Sequence, residues 1–309
     1  MTDRLRGALV GTATRAGVAT PDLEPWAVEA RWANEHSRYL DLAGTRVHYR
    51  EEGPVGVATE RPTLLLVHGT FASLHTWDGW VDRLADDYRI VRVDLPGHGL
   101  TGPHDGGYRM ADLVAVLEDV REALSLGEVV VAGSSRGGEV AWRYALDYPD
   151  RTAALVLLDS MGYPLPSRPP VVRAAANPAF KRAFRWVTPK SLVRRTLSGV
   201  FHDPTAWDET VVERYHDLLR REGNREALVR VFERDLDPTH RHEELADIPV
   251  PTLLQWGEHD AWTPPSVGEK FARDVPHAVY RTYPAGHVPM EETPDATAAD
   301  LRRFLGSRI

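Results

Sequence analysis

The sequence predicts an α/β fold with a mostly parallel, twisted sheet flanked by helices. Short continuous apolar runs, such as residues 63–67 and 129–132, are typical of parallel strands buried on both faces. Between such runs, apolar residues recur at three- and four-residue spacing, as over residues 110–124, which indicates amphipathic helices. Each predicted helix follows a predicted strand, as right-handed crossover connections require.

The elements follow one another along the chain without an internal repeat. Residues 39–51 contain two alternating runs around Ala43-Gly44 and predict an antiparallel hairpin. Continuous apolar runs then predict strands at residues 63–67, 88–93, 129–132, 154–158, 251–256 and 279–283. Apolar residues recur at helical spacing over residues 110–124, 140–148 and 298–305, which predicts three amphipathic helices.

Two segments interrupt this alternation and divide the chain. Residues 1–37 precede the first strand, and we expect an N-terminal extension there. Residues 161–246 contain no core-like strand and are rich in arginine and aromatic residues. Because a structureless loop of that length is improbable, we expect a helical cap inserted into a core formed by residues 38–160 and 247–309.

Composition excludes several classes of function. The 309 residues include 37 Lys and Arg against 45 Asp and Glu, a net charge of −8, which argues against a nucleic-acid partner. The absence of cysteine excludes disulfides, thiolate zinc sites and a cysteine nucleophile in this chain. His240 and His242 do not share a helix face, so we predict no metal site there.

The sequence was also searched for a signal peptide and for membrane-spanning segments. The longest apolar stretch in the first 20 residues, Ala8 to Val10, is too short for a signal peptide, and no run of about 18 apolar residues predicts a membrane span. We therefore expect a cytoplasmic protein. The oligomeric state is not predicted.

The strongest chemical signal is Gly133-Ser134-Ser135-Arg136-Gly137, which has the form G-x-S-x-G. It follows a predicted strand and precedes a predicted helix, so the chain must turn sharply and expose one side chain at the tip. Glycine is needed at the flanking positions because a Cβ atom would clash in so tight a turn. Ser135 is therefore the candidate nucleophile, at a helix N-terminus that favours developing negative charge.

A serine hydroxyl needs a base, and the base needs a group that orients it. The predicted strand 251–256 leads into Asp260, and the strand 279–283 leads into His287. Both residues then lie at the same edge of the sheet as Ser135. Ser135, Asp260 and His287 are the predicted catalytic residues.

At these positions the chain resembles the α/β-hydrolase superfamily, in its esterase, lipase and haloperoxidase-like branch with a helical cap. The motifs that carry the resemblance are His68-Gly69-Thr70, Asp94 to Gly99, Gly133 to Gly138, Gly257 to Asp260 and Gly286-His287. The resemblance covers residues 38–160 and 247–307 and implies an α/β-hydrolase fold. It also implies that the amides of Thr70 and Arg136 form an oxyanion hole, in which each donor contributes about 10²–10³-fold to the rate.

Two assignments stay open at this stage. Some relatives take the acid from the preceding strand, which makes Asp159 an alternative to Asp260, and Glu258 is adjacent. Relatives usually carry Met, Leu, Phe or Trp at the position of Arg136. The arginine is expected either to bind an anionic substrate group or to pair internally with an acid such as Glu139.

The nucleophile type decides the predicted reaction. A serine forms an acyl-enzyme, whereas dehalogenases and epoxide hydrolases of this fold use an aspartate. We therefore expect a cofactor-independent carboxylic ester hydrolase acting on a small molecule, with Phe71, Met161, Tyr163 and Trp262 at the pocket wall. Alternatives are a carbon–carbon bond hydrolase, a thioesterase or acyltransferase, a perhydrolase, or a ligand-binding relative without turnover. The first is less favoured because Pro289 stands where such enzymes usually carry an aromatic residue.

Overall fold

The protein is built around one eight-stranded sheet. The computed structural model describes residues 20–42, 44–56, 61–104, 106–164, 173–174, 176–235 and 241–309. The strands are β1 (Ser37–Leu42), β2 (Thr45–Glu52), β3 (Thr63–Val67), β4 (Ile90–Val93), β5 (Val129–Ser134), β6 (Thr152–Leu158), β7 (Thr252–Gly257) and β8 (Val279–Tyr283). Their order is β1-β2-β4-β3-β5-β6-β7-β8; β1 and β2 pair as an antiparallel hairpin, β2 is antiparallel to β4, and β3 to β8 are parallel. The predicted fold class is confirmed.

Each parallel strand from β3 to β8 is followed by at least one helix, and one further helix precedes β1. In chain order they are α1 (Pro25–Trp32), α2 (Asp78–Leu84), α3 (Met110–Ala123), α4 (Arg136–Asp147), α5 (Pro178–Phe184), α6 (Lys190–Val200), α7 (Glu209–Arg220), α8 (Asn224–Asp235), α9 (Pro265–Asp274), α10 (Pro289–Glu292) and α11 (Pro294–Arg308). Helix α4 begins four residues earlier than its apolar period indicates, immediately after Ser135.

Alternate residues of each central strand pack on opposite faces of the sheet. Leu65 and Val67 of β3 lie in the apolar cluster with α3 and α4, whereas Leu64 and Leu66 lie in the cluster with α2 and α11. All four side chains are fully buried. Burial on both faces explains why the parallel strands appear in the sequence as continuous apolar runs.

The predicted cap contributes helices α5 to α8, between β6 and β7 in the chain. Residues 165–172, 175 and 236–240 of that segment lie outside the described residues. Among the helices that the structure describes, none combines the length and the apolar character that crossing a membrane requires.

The described part of the predicted N-terminal extension connects the cap helices to the hairpin; residues 1–19 lie outside it. Arg31 Nη1 is 2.5 Å from the Asp217 carboxylate on α7, and the Arg225 guanidinium on α8 is 2.6 Å from the Asp22 carboxylate. On the other side, Arg50 of β2 donates a hydrogen bond of 2.6 Å to the Trp32 carbonyl. The segment therefore contacts both the cap helices and the sheet.

Candidate active site

Ser135 occupies the turn between β5 and α4 in a strained backbone conformation. Its φ is 53° and its ψ is −118°, outside the regions that L-residues ordinarily adopt. A Cβ atom on Gly133 would lie 2.1 Å from the Gly137 carbonyl oxygen, and one on Gly137 would lie 2.4 Å from the His68 carbonyl oxygen. Only glycine fits at these two positions, which is the physical basis of the G-x-S-x-G pattern.

Asp260 and His287 lie together in the loops after β7 and β8. His287 Nδ1 is 2.8 Å from Asp260 Oδ2, and both side chains are buried. The other oxygen, Asp260 Oδ1, accepts hydrogen bonds from the backbone N–H groups of Trp262 at 2.6 Å and Thr263 at 3.2 Å. The carboxylate is therefore fixed by its own loop and directed at the imidazole.

The electrostatics of this pair suit a base oriented by an anion. Burial alone would raise the pKa of Asp260, but His287, the Thr263 hydroxyl and Asp159 together hold it below its ordinary value. An ionised Asp260 accepts a hydrogen bond from the N–H group at His287 Nδ1, which leaves the other ring nitrogen free to act as a hydrogen-bond acceptor. The imidazole and Ser135 line the same cavity.

Asp159, the alternative acid, lies at the end of the neighbouring strand β6 and is fully buried. Its Oδ1 accepts a hydrogen bond of 2.9 Å from the Gly257 amide. Within the described part of the chain, Asp159, Asp260 and His287 form the one group of acidic and histidine side chains close enough to hold a metal ion, with donor atoms within 4.8 Å of one another. The direct contact of 2.8 Å between Asp260 and His287 leaves no space for an ion between them.

The predicted oxyanion donors lie on either side of Ser135. Thr70 lines the cavity, and a Cβ atom on the preceding Gly69 would lie 3.0 Å from Ser135 Cβ, so this loop approaches Ser135 closely. Arg136 is the first residue of α4. Amide groups in the first turn of a helix have no acceptor within the helix and favour negative charge in front of them.

Two small apolar cavities lie between the sheet edge and helices α5 to α7, which belong to the predicted cap. The inner cavity, about 30 Å³, is lined by Ser135, His287, Phe71 and Trp262 among others. The outer cavity, also about 30 Å³, extends between α5, α6 and α7 and is lined by residues such as Phe184, Leu192 and Leu219. Both share a wall made by Phe71, Thr196, Leu197 and Tyr215. Among the described residues that line them there is no lysine or arginine.

Comparison with known proteins gives the family. The alpha/beta hydrolase fold family matches residues 62–294 of the chain. The chain belongs to the α/β-hydrolase family. It is 30% identical to an uncharacterized hydrolase of Bacillus subtilis, YugF, over 87% of this chain and 97% of that protein.

Two further relatives resemble this hydrolase over most of its length. A 2-hydroxy-6-oxononadienedioate/2-hydroxy-6-oxononatrienedioate hydrolase of Burkholderia vietnamiensis is 29% identical, over 78% of this chain and 85% of that protein. The crystal structure of a hydrolase from Pseudomonas aeruginosa PA01 superimposes with a TM-score of 0.74 at 29% identity, over 88% of this chain and 99% of that one.

The Arg136 side chain of the hydrolase is directed into the protein interior. It is 1% exposed, its Nη2 donates a hydrogen bond of 3.0 Å to the Tyr108 carbonyl, and burial lowers its pKa to about 10. The Glu139 carboxylate forms an ion pair of 2.5 Å with Arg143, and its charge also favours the charged form of Arg136. From the sequence, Arg136 is expected either to bind an anionic substrate group or to pair internally. Its buried position corresponds to internal contacts, and the hydrogen-bond acceptor is the Tyr108 carbonyl.

Two of the four predicted pocket residues do not line the cavity beside Ser135. Phe71 and Trp262 do, and the Trp262 ring stacks on the His287 imidazole with 5.6 Å between centroids. The Met161 amide instead donates a hydrogen bond of 2.9 Å to the Ser135 carbonyl. Tyr163 lines a separate cavity, where its hydroxyl donates to the Asp274 carboxylate at 2.6 Å.

Sequence reasoning missed the residues that join the His287 loop to the cap. The Glu292 carboxylate accepts hydrogen bonds from the Gly286 amide at 2.6 Å and from the amides of His202 and Asp203 at 2.9 and 2.8 Å. The His287 amide donates to the Val200 carbonyl at the end of α6 at 2.8 Å. The position of the histidine therefore depends on the end of a cap helix. In the sequence, the only indication of these contacts is that Glu292 stands beside Glu291 in a short acidic turn.

Proposed function

We propose that this hydrolase is a serine carboxylic ester hydrolase that works through an acyl-enzyme. The observation that carries the proposal is the strained Ser135 in one cavity with His287, whose Nδ1 atom contacts the buried Asp260. Nucleophile, base and orienting acid in this arrangement are the requirements for activating a serine hydroxyl.

The reaction proceeds in two halves. Ser135 Oγ attacks the ester carbonyl carbon while His287 takes the hydroxyl proton, and the amides of Thr70 and Arg136 bind the oxyanion. The tetrahedral adduct collapses as His287 gives its proton to the leaving alkoxide, which departs as an alcohol. Water then attacks the acyl-enzyme, again with His287 as base, and releases the carboxylic acid and the free serine.

The substrate class follows from the cavity walls. An apolar lining without lysine or arginine among its described residues favours a neutral, aliphatic acyl group. A cavity of about 30 Å³ holds one or two water molecules, so the acyl chain extends from the inner cavity towards the outer one. We propose that residues 161–246 act as a cap and set the length of chain accepted.

The relative from Burkholderia vietnamiensis raises carbon–carbon bond hydrolysis as the second candidate. Its named substrates are dioates, which carry two carboxylates. Anionic groups need cationic partners when they are buried, and the described cavity walls of this chain supply no lysine or arginine. The ester reaction is therefore the better supported of the two.

An ester panel tests the proposal. Purified protein is assayed with neutral p-nitrophenyl esters from acetyl to decanoyl, with an acidic ester of matched size, and with a thioester and an added alcohol or peroxide acceptor. We expect hydrolysis of neutral esters, slower turnover of the acidic ester, and no turnover by Ser135→Ala. Ester hydrolysis by Ser135→Ala at the wild-type rate, with unchanged circular dichroism, contradicts the proposal. Preference for the thioester or the acceptor replaces it with a thioesterase, acyltransferase or perhydrolase.

A further inference from the structure

We infer that Asp159 is a positioning residue that stays protonated in the working enzyme and donates a hydrogen bond to the Asp260 carboxylate. The inference rests on the proposed function, in which Asp260 orients His287. It assigns a separate task to each of the two aspartates that end neighbouring strands.

The backbone and one carboxyl oxygen of Asp159 are held firmly. The residue follows β6 with a φ of 45°, and its amide donates to the Gln255 carbonyl at 3.1 Å. Its Oδ1 accepts a hydrogen bond from the Gly257 amide at 2.9 Å, and its carbonyl oxygen is 2.8 Å from the Thr263 hydroxyl, which also contacts Asp260. These contacts fix the carboxyl group beside Asp260.

The second carboxyl oxygen of Asp159 has no donor. Oδ2 is buried and has no hydrogen-bond partner among the described residues, although an ionised oxygen in such a place needs one. A carboxyl oxygen of Asp159 lies within 4.8 Å of one of Asp260 and of a ring nitrogen of His287. A proton on Oδ2 turns this oxygen into a donor with the Asp260 carboxylate as its acceptor.

The surroundings decide which aspartate holds the proton. Two adjacent buried carboxyl groups do not both ionise. Asp260 accepts two backbone N–H groups and contacts His287, all of which stabilise its anion, whereas Asp159 accepts one N–H. Burial and then the charge of Asp260 raise the pKa of Asp159 well above its ordinary value.

Two other titratable groups near Asp159, Glu292 and Tyr280, do not stabilise its ionised form. Glu292, beyond Asp260, adds negative charge and further disfavours an ionised Asp159, and Tyr280 on β8 is neutral at working pH because burial raises its pKa to about 12. A neutral Asp159 orients Asp260 without adding a second negative charge next to His287. An ionised Asp159 would instead increase the proton affinity of the imidazole.

Two substitutions distinguish a neutral Asp159 that donates a hydrogen bond from an ionised one. Asp159→Asn keeps a neutral hydrogen-bond donor towards Asp260 and an acceptor for the Gly257 amide. We therefore expect its kcat/KM to stay within a few-fold of wild type. We also expect kcat/KM to fall at the same acidic pH as in wild type. Asp159→Leu keeps the size but removes the donor. A hydrogen bond to a charged group contributes about 1.5–3 kcal/mol, so we expect kcat to fall roughly ten- to a hundredfold with KM nearly unchanged.

Infrared spectroscopy tests the proton itself, independently of activity and of whether Asp159→Leu folds. The comparison is made in a Glu291→Gln background, because burial raises the pKa of Glu291 to about 7 and its own carboxylic-acid band would otherwise overlap near neutral pH. In that background we expect a carboxylic-acid C=O band that disappears in Asp159→Asn and persists in the exposed control Asp150→Asn. A missing band, or an acid limb that moves by one pH unit or more in Asp159→Asn, shows that Asp159 is charged and overturns the inference. Folded Asp159→Leu with wild-type kcat overturns the positioning role. Ester turnover by Ser135→Ala would instead refute the proposed function and leave the band unaffected.

Discussion

Leu197 separates the inner cavity from the outer one, so its truncation is expected to lengthen the acyl chain that the hydrolase accepts. The residue lies on α6, is 1% exposed, and lines both cavities. Its aliphatic side chain takes no part in the proposed proton transfers. Leu197→Ala therefore changes the shape of the pocket while the nucleophile, the base and the oxyanion donors stay in place.

The size of the effect follows from the apolar area that the longer chain buries. Leu→Ala removes about three methylene-sized groups, and each buried methylene contributes about 0.8 kcal/mol. Three additional buried methylenes contribute about 2.4 kcal/mol, so kcat/KM for a long ester relative to acetyl should rise roughly fiftyfold. The same truncation costs about 2–5 kcal/mol of stability, so the assay is run well below the melting temperature.

The assay is the chain-length profile of kcat/KM, from acetyl to decanoyl, for wild type, Leu197→Ala and Leu218→Ala. Leu218 is an equally suitable cap leucine for a control because it is buried on α7 beside Val28 and Leu100 and lines neither cavity. We expect the control to lose stability without a change in profile. If the chain-length profile of Leu197→Ala is parallel to that of wild type, the acyl chain does not extend from the inner cavity into the outer one, and the proposal is refuted.

Three further outcomes are expected. Asp260→Asn should lower kcat by roughly 10³–10⁴-fold, far more than Asp159→Asn, because it removes the anion that orients His287; similar kcat losses in the two variants would contradict this. Arg136→Met keeps the backbone amide and removes a buried guanidinium, so kcat/KM for neutral and acidic esters of equal size should change alike; a loss confined to the acidic ester would show substrate contact. Burial raises the pKa of Glu291 from 4.5 to about 7, so the folded state binds its proton more tightly and stability falls as pH rises between these values. Glu291→Gln should therefore flatten the decrease in Tm between pH 5 and pH 8, and an unchanged slope would exclude Glu291 as its origin.

The sheet and the order of the candidate catalytic residues were predictable because both depend on local patterns. A parallel strand buried on both faces must be apolar throughout, and the residue after it lies at a known edge of the sheet. The glycines around Ser135 were predictable for a steric reason, and the distances at Gly133 and Gly137 supply it. The assignment of Ser135, Asp260 and His287 to catalysis stays a prediction.

The remaining features depend on contacts between distant parts of the chain. Asp159 and Asp260 follow neighbouring strands, and only the pairing of β6 with β7, with Leu158 opposite Gln255, brings the two carboxyl groups together. The apolar spacing of α6 does not reveal which face lines a cavity. Tyr163 is a predicted pocket residue, yet its hydroxyl contacts Asp274 of α9, 111 residues further along the chain, and its side chain does not line the cavity beside Ser135.

The central claim is that Ser135 forms a covalent acyl-enzyme. The most direct measurement is intact-protein mass spectrometry after reaction with a fluorophosphonate, followed by peptide mapping of the modified residue. We expect one adduct per chain, located on Ser135, with loss of esterase activity in proportion to labelling and no adduct on Ser135→Ala. An adduct on the neighbouring Ser134, or full esterase activity in protein labelled at Ser135, would contradict the account.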